Sequence, residues 1–474
     1  MSSSKTISLF LFAGIFFNCN VSKKSLVAAQ KPNIIFLLAD DMRFDALGCN
    51  GNKIAITPHL DALAAKGTNF KNSYVTTAIC AISRASFLTG QYEKRHGIDN
   101  FSKTFSDGAF QQTYPMLLRN NGYYTGFIGK YGVGDVMPVQ AFDYWKGYPG
   151  QGTYFYKLPD GSMIHETALA GKQLQEFING REKEKPFCLS ISFKAPHSED
   201  NSKENNGFRP DPYFDNWYVD TVFPKPVTYA DSFYRLFPEA WRINQSQKEN
   251  EARVRFNKRF GTDEQFQISY KSIYRLVSGV DKTIGEMLLY LEQQGLDKNT
   301  IIVFSSDNGY YMGEHGLEGK WYGHDESIRV PLIVYNPYLK EQRKQIEEPV
   351  LNIDLAPTIL QWAGIKAPTS IQGRSYASLL TSKNMEWRKE FFYEHLFNPG
   401  SYPVYIPHTA GVVTASFKYM RYYTGTESDK FLYEELFDTK NDRDETKNLS
   451  SLLQYQQVKE RLKEKVRAYD KNLH

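Results

Sequence analysis

The sequence predicts an α/β fold: a large, mostly parallel sheet sandwiched by helices, followed by a smaller C-terminal antiparallel sheet with a helix. Two continuous apolar runs, residues 33–39 and 300–306, are typical of strands that helices cover on both faces. Strand-like and helix-like runs alternate along the chain, which is the order of a doubly wound sheet. From about residue 385 the composition changes to segments rich in Tyr and Phe, which favour a separate antiparallel sheet.

The strand-like and helix-like runs of the large part follow one another in order. First we expect strands at 33–39, 124–128 and 187–193, and helices at 58–66, from residue 80 onward, and at 165–180. Residues 198–262 are polar and aromatic-rich without a clear period, so we interpret them as an insertion of loops and short helices on the side where ligands bind. After the insertion we expect helices at 266–294 and 354–362, and strands at 300–306 and 330–335.

The C-terminal part should form a small sheet of its own. Residues 391–394 and 415–423 are strand-like, and an amphipathic helix is expected at about 450–470. We therefore predict a signal segment at 1–29, an N-terminal domain at 30–380 and a C-terminal α+β subdomain at 381–474.

The N-terminus has the pattern of a secretory signal. Lys5 precedes an apolar stretch at 7–17 that is too short to cross a bilayer as a helix. We expect export, to the periplasm or the cell surface. Cys19 follows the stretch and is a candidate for a lipid anchor, whereas the small residues at 27–29 offer a competing cleavage site.

Length, charge and cysteine content exclude some classes of protein. The 474 residues suffice for one large α/β domain and a smaller one. The net charge of +4 is too small for the footprint of a nucleic-acid-binding protein, so no nucleic-acid partner is expected. The four cysteines, Cys19, Cys49, Cys80 and Cys188, do not make a disulfide framework.

Oxygen-bearing side chains follow both apolar runs. Asp40 and Asp41 come directly after the first run, and Asp307 and Asn308 come directly after the second. Because ligands gather at the carboxyl ends of parallel strands, these four side chains could converge although the pairs lie far apart in sequence. Such hard oxygen donors suit Ca²⁺ or Mg²⁺ better than zinc. The alternative is that each pair is only a strand-to-loop turn.

The segment 80–90 carries the most specific signal in the chain. If Cys80 begins a helix, Ser83 and Arg84 lie on the same face, three and four residues on. A nucleophile at a helix N-terminus beside an arginine suits an anionic tetrahedral group, because the dipole and the free N–H groups favour negative charge. The alternative is a cysteine that is simply buried in an ordinary helix.

This segment resembles the signature of the type I sulfatases of the alkaline-phosphatase superfamily, which reads Cys/Ser-x-Pro/Ala-Ser-Arg and ends in a Leu-Thr-Gly-like sequence. Other segments are similar to patterns of the same family and occur in the expected order over about 31–380. They lie at 38–41, 57–64, 90–97, 129–130, 195–197, 306–309, 313–320, 326–331, 354–358 and 373–375. So many ordered matches make coincidence a poor explanation.

The resemblance implies a fold, a reaction and a set of site residues. The fold is alkaline-phosphatase-like, and the reaction is hydrolysis of sulfate monoesters on carbohydrate, such as algal polysaccharide, glycosaminoglycan or their oligosaccharides. A formylglycine-generating maturation enzyme would oxidise Cys80. The resemblance assigns Ca²⁺ binding to Asp40, Asp41, Asp307 and Asn308, contacts with formylglycine and the sulfate oxygens to Arg84, Lys130 and Lys320, and protonation of the leaving oxygen to His197.

The chemistry gives a reason for the cysteine. A bare thiol that attacked sulfur would be left with an adduct that has no simple exit. The hydrated aldehyde of formylglycine offers a second hydroxyl whose deprotonation expels sulfate. Calcium would act as a Lewis acid and lower the pKa of that hydrate.

Two positions depart from the family pattern. Ile82 stands where the signature usually has Pro or Ala, which bears on which maturation enzyme reads the segment. Gly132 stands where the family lysine is commonly followed, after one residue, by a histidine that assists deprotonation of the diol or release of sulfate. His315 and His324 are candidates for supplying an imidazole in its place.

Substrate specificity should come from residues outside these motifs. His324 and Asp325 closely follow Lys320 and are candidate sugar contacts. The insertion offers further side chains for stacking and for contacts with carboxylates, namely Arg209, Trp217, Tyr218, Trp241 and Arg242. A packing role is the alternative for the tryptophans.

Two other functions stay open. A phosphate or phosphonate monoester hydrolase of the same superfamily could use the same metal cradle. A catalytically silent, glycan-binding homologue is suggested by Ile82 and Gly132.

Overall fold

An eight-stranded sheet carries Asp40 and Lys130 on its strands and brings Asp41, His197 and Asp307 to its strand ends. The computed structural model describes residues 31–400, 403–425 and 427–473. The predicted signal segment and Cys19 lie outside these residues. Residues from Pro32 onward form one unit by their contacts, and the division at residue 380 stays a prediction. Within the described residues no helix has the length and apolar character needed to span a membrane.

The strands and helices are numbered along the chain. The strands are β1 (Asn33–Asp40), β2 (Thr68–Phe70), β3 (Ser73–Tyr74), β4 (Tyr124–Lys130), β5 (Tyr144–Tyr148), β6 (Phe155–Lys157), β7 (Met163–His165), β8 (Phe187–Pro196), β9 (Thr300–Ser306), β10 (Tyr311–Met312), β11 (Glu318–Gly319), β12 (Leu332–Tyr335), β13 (Gln345–Ile346), β14 (Val350–Leu351), β15 (Glu390–His395), β16 (His408–Thr414), β17 (Lys418–Tyr423) and β18 (Phe431–Phe437). The helices are α1 (Pro58–Lys66), α2 (Cys80–Thr89), α3 (Glu93–His96), α4 (Asp107–Phe110), α5 (Tyr114–Asn120), α6 (Glu166–Gly180), α7 (Asp231–Tyr234), α8 (Glu239–Arg242), α9 (Glu251–Arg259), α10 (Asp263–Gln293), α11 (Asp325–Ile328), α12 (Leu355–Trp362) and α13 (Gln456–Asn472).

The large sheet has the strand order β13-β2-β12-β9-β1-β8-β4-β5. In the part of the chain that the structure describes, its neighbouring strands are parallel except at β12, which runs antiparallel to β9 and β2. The prediction of a large, mostly parallel sheet is therefore confirmed. The central strand β1 pairs with β9, so the two apolar runs of the sequence are direct neighbours.

Helices cover both faces of this sheet because its strands are apolar on both sides. On β1, Ile34, Phe36 and Leu38 point into one core, and Ile35 and Leu37 point into the other. Residues of α2, α5 and α12 complete the first core, and residues of α1, α6 and α10 complete the second. Each fully buried side chain of this size contributes roughly 1.5–3 kcal/mol to stability, which fixes the end of β1 in place.

Local sequence signals explain where the helices beside the site begin and end. α2 ends at Gly90, whose φ of 69° is a left-handed conformation that glycine adopts without strain. α10 begins at a capping box, in which the Thr262 hydroxyl accepts from the Gln265 amide (3.2 Å) and the Gln265 side chain accepts from the Thr262 amide (3.1 Å).

The C-terminal part is the predicted antiparallel sheet with a closing helix. Its order is β15-β16-β17-β18, and neighbouring strands are antiparallel. α13 covers the sheet, and Tyr469 stacks on Phe392 with ring centroids 5.4 Å apart. The predicted strand at 415–423 is too long, because residues 414–417 form a turn in which Thr414 Oγ1 accepts from the Phe417 amide at 3.0 Å.

Residues 198–262 form the predicted insertion of loops and short helices, including α7, α8 and α9. Trp241 has the packing role that was the alternative for it. Its side chain is fully buried, and its ring stacks on Phe237 with centroids 3.9 Å apart.

Candidate active site

The ends of three neighbouring strands bring the predicted metal ligands together. In the register of β1 against β9, Ala39 faces Ser306, so Asp40 and Asp307 leave the sheet side by side. β8 ends opposite Asp40, which places His197 at the same edge. These distant motifs meet because parallel strands end at one edge of the sheet.

The backbone of Asp41 is in the left-handed conformation, with a φ of 65°. Consecutive side chains of an extended strand point to opposite faces, and this departure lets Asp40 and Asp41 both reach the site. Asp tolerates this conformation better than most residues. The Asp41 amide donates to Asp307 Oδ1 at 3.1 Å, and Asn308 Nδ2 donates to Asp41 Oδ1 at 2.6 Å.

Cys80 begins α2 and faces these carboxylates. Its Sγ lies 3.4 Å from Asp40 Oδ1 and 3.4 Å from Lys320 Nζ. Burial, and then the charge of Asp40, raises the pKa of the Cys80 thiol to about 12. The thiol therefore stays protonated at neutral pH and is not an activated nucleophile.

Cationic side chains interleave with the carboxylates. Lys320 Nζ lies 2.6 and 2.8 Å from the two carboxylate oxygens of Asp41. Arg84 Nε donates to Asp307 Oδ2 at 2.8 Å, and Arg84 Nη1 donates to the Lys130 carbonyl at 2.7 Å. The guanidinium is thus fixed by its protein partners on two sides.

The charges shift the pKa values of two carboxyl groups in opposite directions. Burial by itself would raise the pKa of Asp40, but the hydrogen-bonded ammonium of Lys130, together with the guanidinium of Arg84, holds that pKa well below its usual range. Burial, and then the charge of Asp40, raises the pKa of Asp307 to about 6. Of these two carboxyl groups, Asp40 therefore stays ionised over the wider range of pH.

His197 lies at the edge of the cluster. Its Nδ1 is 2.6 Å from the Ser198 carbonyl and donates to it, because a carbonyl oxygen only accepts. Its Nε2 faces Asp41 Oδ2 at 3.6 Å. Burial, and then the charge of Lys320, holds the pKa of His197 well below its usual range, so the ring is neutral and Nε2 carries the lone pair.

The donor set fits a hard divalent cation. Asp40, Asp41, Cys80 and His197 each offer an atom that lies within 4.8 Å of the others. Asn308 Oδ1 is buried without a hydrogen-bond partner among the described residues, and a cation would satisfy it. Carboxylates together with this amide oxygen are the donors that Ca²⁺ or Mg²⁺ prefers.

A cavity of about 270 Å³ opens above the cluster. Cys80, Lys130, His197 and Lys320 form its inner end. Distant segments share its outer wall, which includes Phe101, Asp200, Arg255, Trp321, Phe397 and Val404. The arrangement can hold an anionic group at the inner end and the rest of the same molecule against the outer wall.

The structure does not bring two of the predicted sugar contacts to this cavity. His324 Nδ1 lies 2.5 Å from the Tyr311 hydroxyl, and Asp325 Oδ1 accepts from Lys418 Nζ at 2.7 Å. Both side chains face the C-terminal sheet, because Lys418 and Glu435, the acidic neighbour of His324, belong to β17 and β18. A sugar in the cavity would not touch them.

Arg209 is also engaged elsewhere. It donates to Glu199 at 2.7 Å and to Glu204 at 2.8 Å, and its guanidinium lies 4.9 Å from the ring centroid of Phe155. Glu199 follows His197 by two residues, so Arg209 supports the loop that carries His197. It is not part of the cavity lining.

Gly132 leaves no room for the histidine of the family pattern. Its φ is 71°, and a Cβ atom there would lie 2.8 Å from Arg84 Cδ. His315 and His324 do not replace that histidine, because their rings stack on each other, 4.3 Å apart, outside the cavity lining. Sequence reasoning missed Gln151, whose Oε1 accepts from Lys130 Nζ at 2.6 Å. Its flanking glycines were the available signal.

Comparison with known protein families agrees with this geometry. The family described as Sulfatase matches residues 32–365. The family described as N-sulphoglucosamine sulphohydrolase, C-terminal, matches residues 313–472. Together the two matches include the cluster, the large sheet and the C-terminal sheet.

Individual proteins are similar over most of the chain. An N-acetylglucosamine-6-O-sulfatase of Bacteroides thetaiotaomicron is 29% identical, covering 96% of this chain and 88% of its own. An ulvan-active sulfatase of Formosa agariphila is 28% identical, covering 93% and 80%. A solved structure in complex with its substrate D-glucosamine-2-N,6-O-disulfate has a TM-score of 0.76 at 27% identity, covering 94% and 98%. A phosphonate monoester hydrolase of Agrobacterium radiobacter shares the fold, with a TM-score of 0.75 at 19% identity, covering 94% and 96%.

Proposed function

The chain belongs to the sulfatase family of the alkaline-phosphatase-like superfamily and is a sulfuric ester hydrolase, and on this basis we propose that it removes sulfate from carbohydrate with a formylglycine made from Cys80 and with Ca²⁺. The proposed substrates are sulfated polysaccharides or glycosaminoglycans and their oligosaccharides. Relatives described as acting on ulvan and on N-acetylglucosamine 6-O-sulfate support this class.

The inner end of the cavity is the observation that supports the proposal most directly. Cys80 Sγ lies 3.4 Å from Lys320 Nζ, and the ammonium of Lys130 lines the same space. A sulfate group that approached Cys80 would meet both ammonium groups. Such preorganised donors stabilise charge that develops on oxygen in the transition state.

The state of Cys80 argues for its modification. With its pKa raised to about 12, the unmodified thiol would be a poor nucleophile at neutral pH. Formylglycine at this position would supply a hydroxyl nucleophile and a second hydroxyl that lets sulfate leave. Calcium would be held by Asp40, Asp41, Asp307 and Asn308 and would supply Lewis-acid polarisation there.

The chain's own residues would bind, orient and exchange protons around the reacting sulfur. Lys130 and Lys320 would donate to sulfate oxygens, and Arg84, held by Asp307, would keep the positive charge in place as negative charge accumulates. His197 Nε2 lies 3.6 Å from Asp41 Oδ2 and carries a lone pair, so it would first take up a proton from water in the cavity and would then donate that proton to the leaving oxygen. Its Nδ1 bond to the Ser198 carbonyl fixes the ring orientation for that transfer.

We also propose export to the periplasm or the cell surface, with Cys19 as a candidate lipid anchor. The apolar stretch at 7–17 motivates this proposal. Mass spectrometry of the N-terminal peptide from native-source protein would test it. An intact N-terminus that retains residues 1–17 in cytoplasmic protein would contradict it.

The function is tested by two measurements on the same preparation. Mass spectrometry of the Cys80 peptide should show formylglycine in native-source protein. Sulfate release should be detected from a panel that contains 6-O-sulfated N-acetylglucosamine, glycosaminoglycan oligosaccharides and ulvan fragments, and a chelator should abolish it until Ca²⁺ is restored. An unmodified thiol together with no release from any member would reject the proposal and leave the silent glycan-binding alternative.

The phosphate or phosphonate monoester hydrolase is separated by a paired assay. The cationic inner end of the cavity would accept either tetrahedral anion, so the comparison must use sulfate and phosphate monoesters of one alcohol. We expect the larger kcat/KM for the sulfate ester. A larger value for the phosphate ester would favour the alternative.

A further inference from the structure

Gln151 lines the cavity, and the oxygen of its side-chain amide already accepts a hydrogen bond. Its Oε1 accepts from Lys130 Nζ at 2.6 Å. An ammonium group only donates, so the oxygen of the amide must be the atom that faces Lys130. The NH₂ group therefore points away from the lysine, and no described residue is recorded as accepting a hydrogen bond from it. Gln151 thus presents an unused donor pair beside the inner end of the cavity.

The loop that carries Gln151 has a specialised backbone. Gly150 and Gly152 flank it, and each has a φ of 61°. A side chain at Gly152 would be strained by this conformation, and its Cβ would lie 2.4 Å from the Tyr148 ring. Two left-handed residues in three turn the loop so that Gln151 meets Lys130.

This loop is tied to the loop that carries His197. Lys194, fully buried on β8, donates to the Gln151 carbonyl at 2.9 Å and lies 3.4 Å from the Ser198 carbonyl. The Tyr154 hydroxyl donates to the His197 carbonyl at 2.6 Å. The backbone of Gln151 is therefore held by a buried ammonium group that also contacts the His197 loop, and its exposed side chain is held by the hydrogen bond to Lys130.

Gly132 places no side chain beside Lys130, and the stem of Arg84 occupies the position that such a side chain would take. With no side chain at Gly132, the stem of Arg84 and the end of Lys130 are the nearest atoms to a Cβ built there, at 2.8 and 3.6 Å. The polar groups on this side of Lys130 thus come from Gln151 and not from the chain that directly follows Lys130.

We propose that Gln151 binds the sulfate ester directly, its Oε1 orienting the ammonium of Lys130 and its Nε2 donating to a sulfate oxygen. This inference rests on the proposed function. With one N–H of Lys130 on Asp40 and one on Gln151, the third is left for the ligand. Gln151 and Lys130 would then grip the same anion from one side.

Two substitutions separate the acceptor from the donor. Gln151→Glu keeps an oxygen acceptor for Lys130 but replaces the donor with a negative charge that faces the sulfate. Gln151→Ala removes both. Gln140→Glu is the matched control, because Gln140 is exposed and outside the cavity lining.

The measurements are kcat, KM and the affinity for inorganic sulfate, which is obtained by calorimetry and as the product-inhibition constant. A hydrogen bond to a charged group contributes about 10- to 100-fold, so we expect kcat/KM to fall by about that factor in Gln151→Ala. Gln151→Glu should lose at least as much, and both variants should bind sulfate at least about tenfold more weakly. Gln140→Glu should change neither quantity, and thermal unfolding should be the same in all four proteins.

The outcomes distinguish this inference from the proposed function. If wild-type protein turns over sulfate esters while Gln151→Glu keeps its kcat/KM and sulfate affinity, the donor role is wrong. If the wild type releases no sulfate from any ester, the function has failed, and calorimetry with inorganic sulfate still tests Gln151. Wild-type protein that binds sulfate no more tightly than Gln151→Glu would overturn the inference in either case.

Discussion

Two buried groups of charged residues approach each other in the sequence at Lys320 and His324, yet only one faces the cavity. The catalytic cluster, named for the roles proposed for its members, contains Cys80, Asp40, Asp41, Arg84, Lys130, His197, Asp307 and Lys320. The rear cluster contains His324, Asp325, Glu326, Lys418, Glu435 and Glu445. Lys320 and His324 are four residues apart. Charged side chains are thus buried in one cluster where a ligand can reach them and in the other where they only pair with one another.

The backbone between the two clusters explains their separation. Trp321 has a φ of 88°, a left-handed backbone conformation that is a genuine outlier for a bulky residue. Lys320 lies before this point and reaches Asp41, and α11 begins after it at Asp325. The chain thus delivers a lysine to the cavity and then turns its next charged residues toward the C-terminal sheet.

The clusters also differ in how their charges are used. In the rear cluster, Lys418 Nζ lies 2.7 Å from Asp325 Oδ1 and 2.6 Å from Glu445 Oε1, so its charge is paired with protein groups. In the catalytic cluster, Lys130 and Lys320 border open space as well as carboxylates. Substitutions that face the cavity should therefore lower activity per folded molecule, whereas substitutions in the rear cluster should lower stability alone.

The largest expected effect is the loss of activity in Cys80→Ala. Removing the nucleophile should reduce sulfate release to the uncatalysed background, while the unfolding midpoint changes little. Cys188→Ala is the control, because Cys188 is equally buried but packs in the core. Sulfate release under single-turnover conditions is the measurement, and catalysis by Cys80→Ala would contradict the assignment.

Lys320→Ala should come next. Losing one preorganised donor at the developing charge typically lowers kcat by about 100- to 1,000-fold. Lys320→Ala also leaves the buried carboxylate of Asp41 without its ion-pair partner, so the free energy of unfolding should fall as well, and activity must be compared per folded molecule. The measurement is kcat per folded molecule, with the folded fraction taken from urea denaturation. A variant that loses stability but keeps full activity per folded molecule would contradict the prediction.

Lys418→Met tests the rear cluster. Removing one partner of a buried ion pair leaves uncompensated charge on Asp325 and Glu445, and we expect a loss of about 3–5 kcal/mol in the free energy of unfolding. Activity per folded molecule should stay close to that of the wild type. Denaturant unfolding with active-site titration is the measurement, and a selective loss of kcat would show that the two clusters are coupled.

Glu326→Gln should have a smaller effect that depends on pH. Burial, and then the charges of Glu314 and Glu445, raises the pKa of Glu326 to about 8. Between the unfolded pKa and this value the native state holds a proton that the unfolded state has lost, so stability falls as pH rises. The variant should match the wild type at pH 4 and have a Tm higher by about 2 °C or more at pH 8.5. An equal difference at both pH values would contradict this account.

The smallest effect is expected for Arg209→Gln. Its ion pairs with Glu199 and Glu204 are partly exposed, and such pairs contribute about 1 kcal/mol or less. We expect kcat/KM to change by less than about threefold across the substrate panel. A large loss confined to one substrate would restore the prediction that Arg209 contacts sugar.

Much of the fold and of the catalytic cluster followed from the sequence, for physical reasons. Continuous apolar runs can only be strands or helices covered on both sides, and the runs at 33–39 and 300–306 are central strands. Their polar ends meet because β1 and β9 are parallel neighbours in register. The roles of the site residues stay predictions, although the structure places these residues together.

The outer wall of the cavity could not be predicted in the same way. Phe101, Asp200, Arg255, Trp321 and Phe397 meet only through long-range packing, and no local pattern marks them. His324 and Asp325 were assigned to sugar because they follow Lys320, but the left-handed backbone conformation of Trp321 has no signature in residue type. Gln151 was missed because its role depends on Lys194, which lies 43 residues away.

The burial of Cys80 limits the time at which another enzyme could modify its thiol. Its side chain is 2% exposed, at the bottom of a space made from segments between residues 79 and 406. Another enzyme's catalytic groups cannot reach the thiol once β9 and the C-terminal segments have closed around it. If Cys80 is oxidised to formylglycine as proposed, this oxidation must compete with folding, and a chain that folds first would keep its thiol. Refolded protein offered to the maturation enzyme should keep an unmodified thiol, whereas a peptide spanning residues 75–95 should be converted.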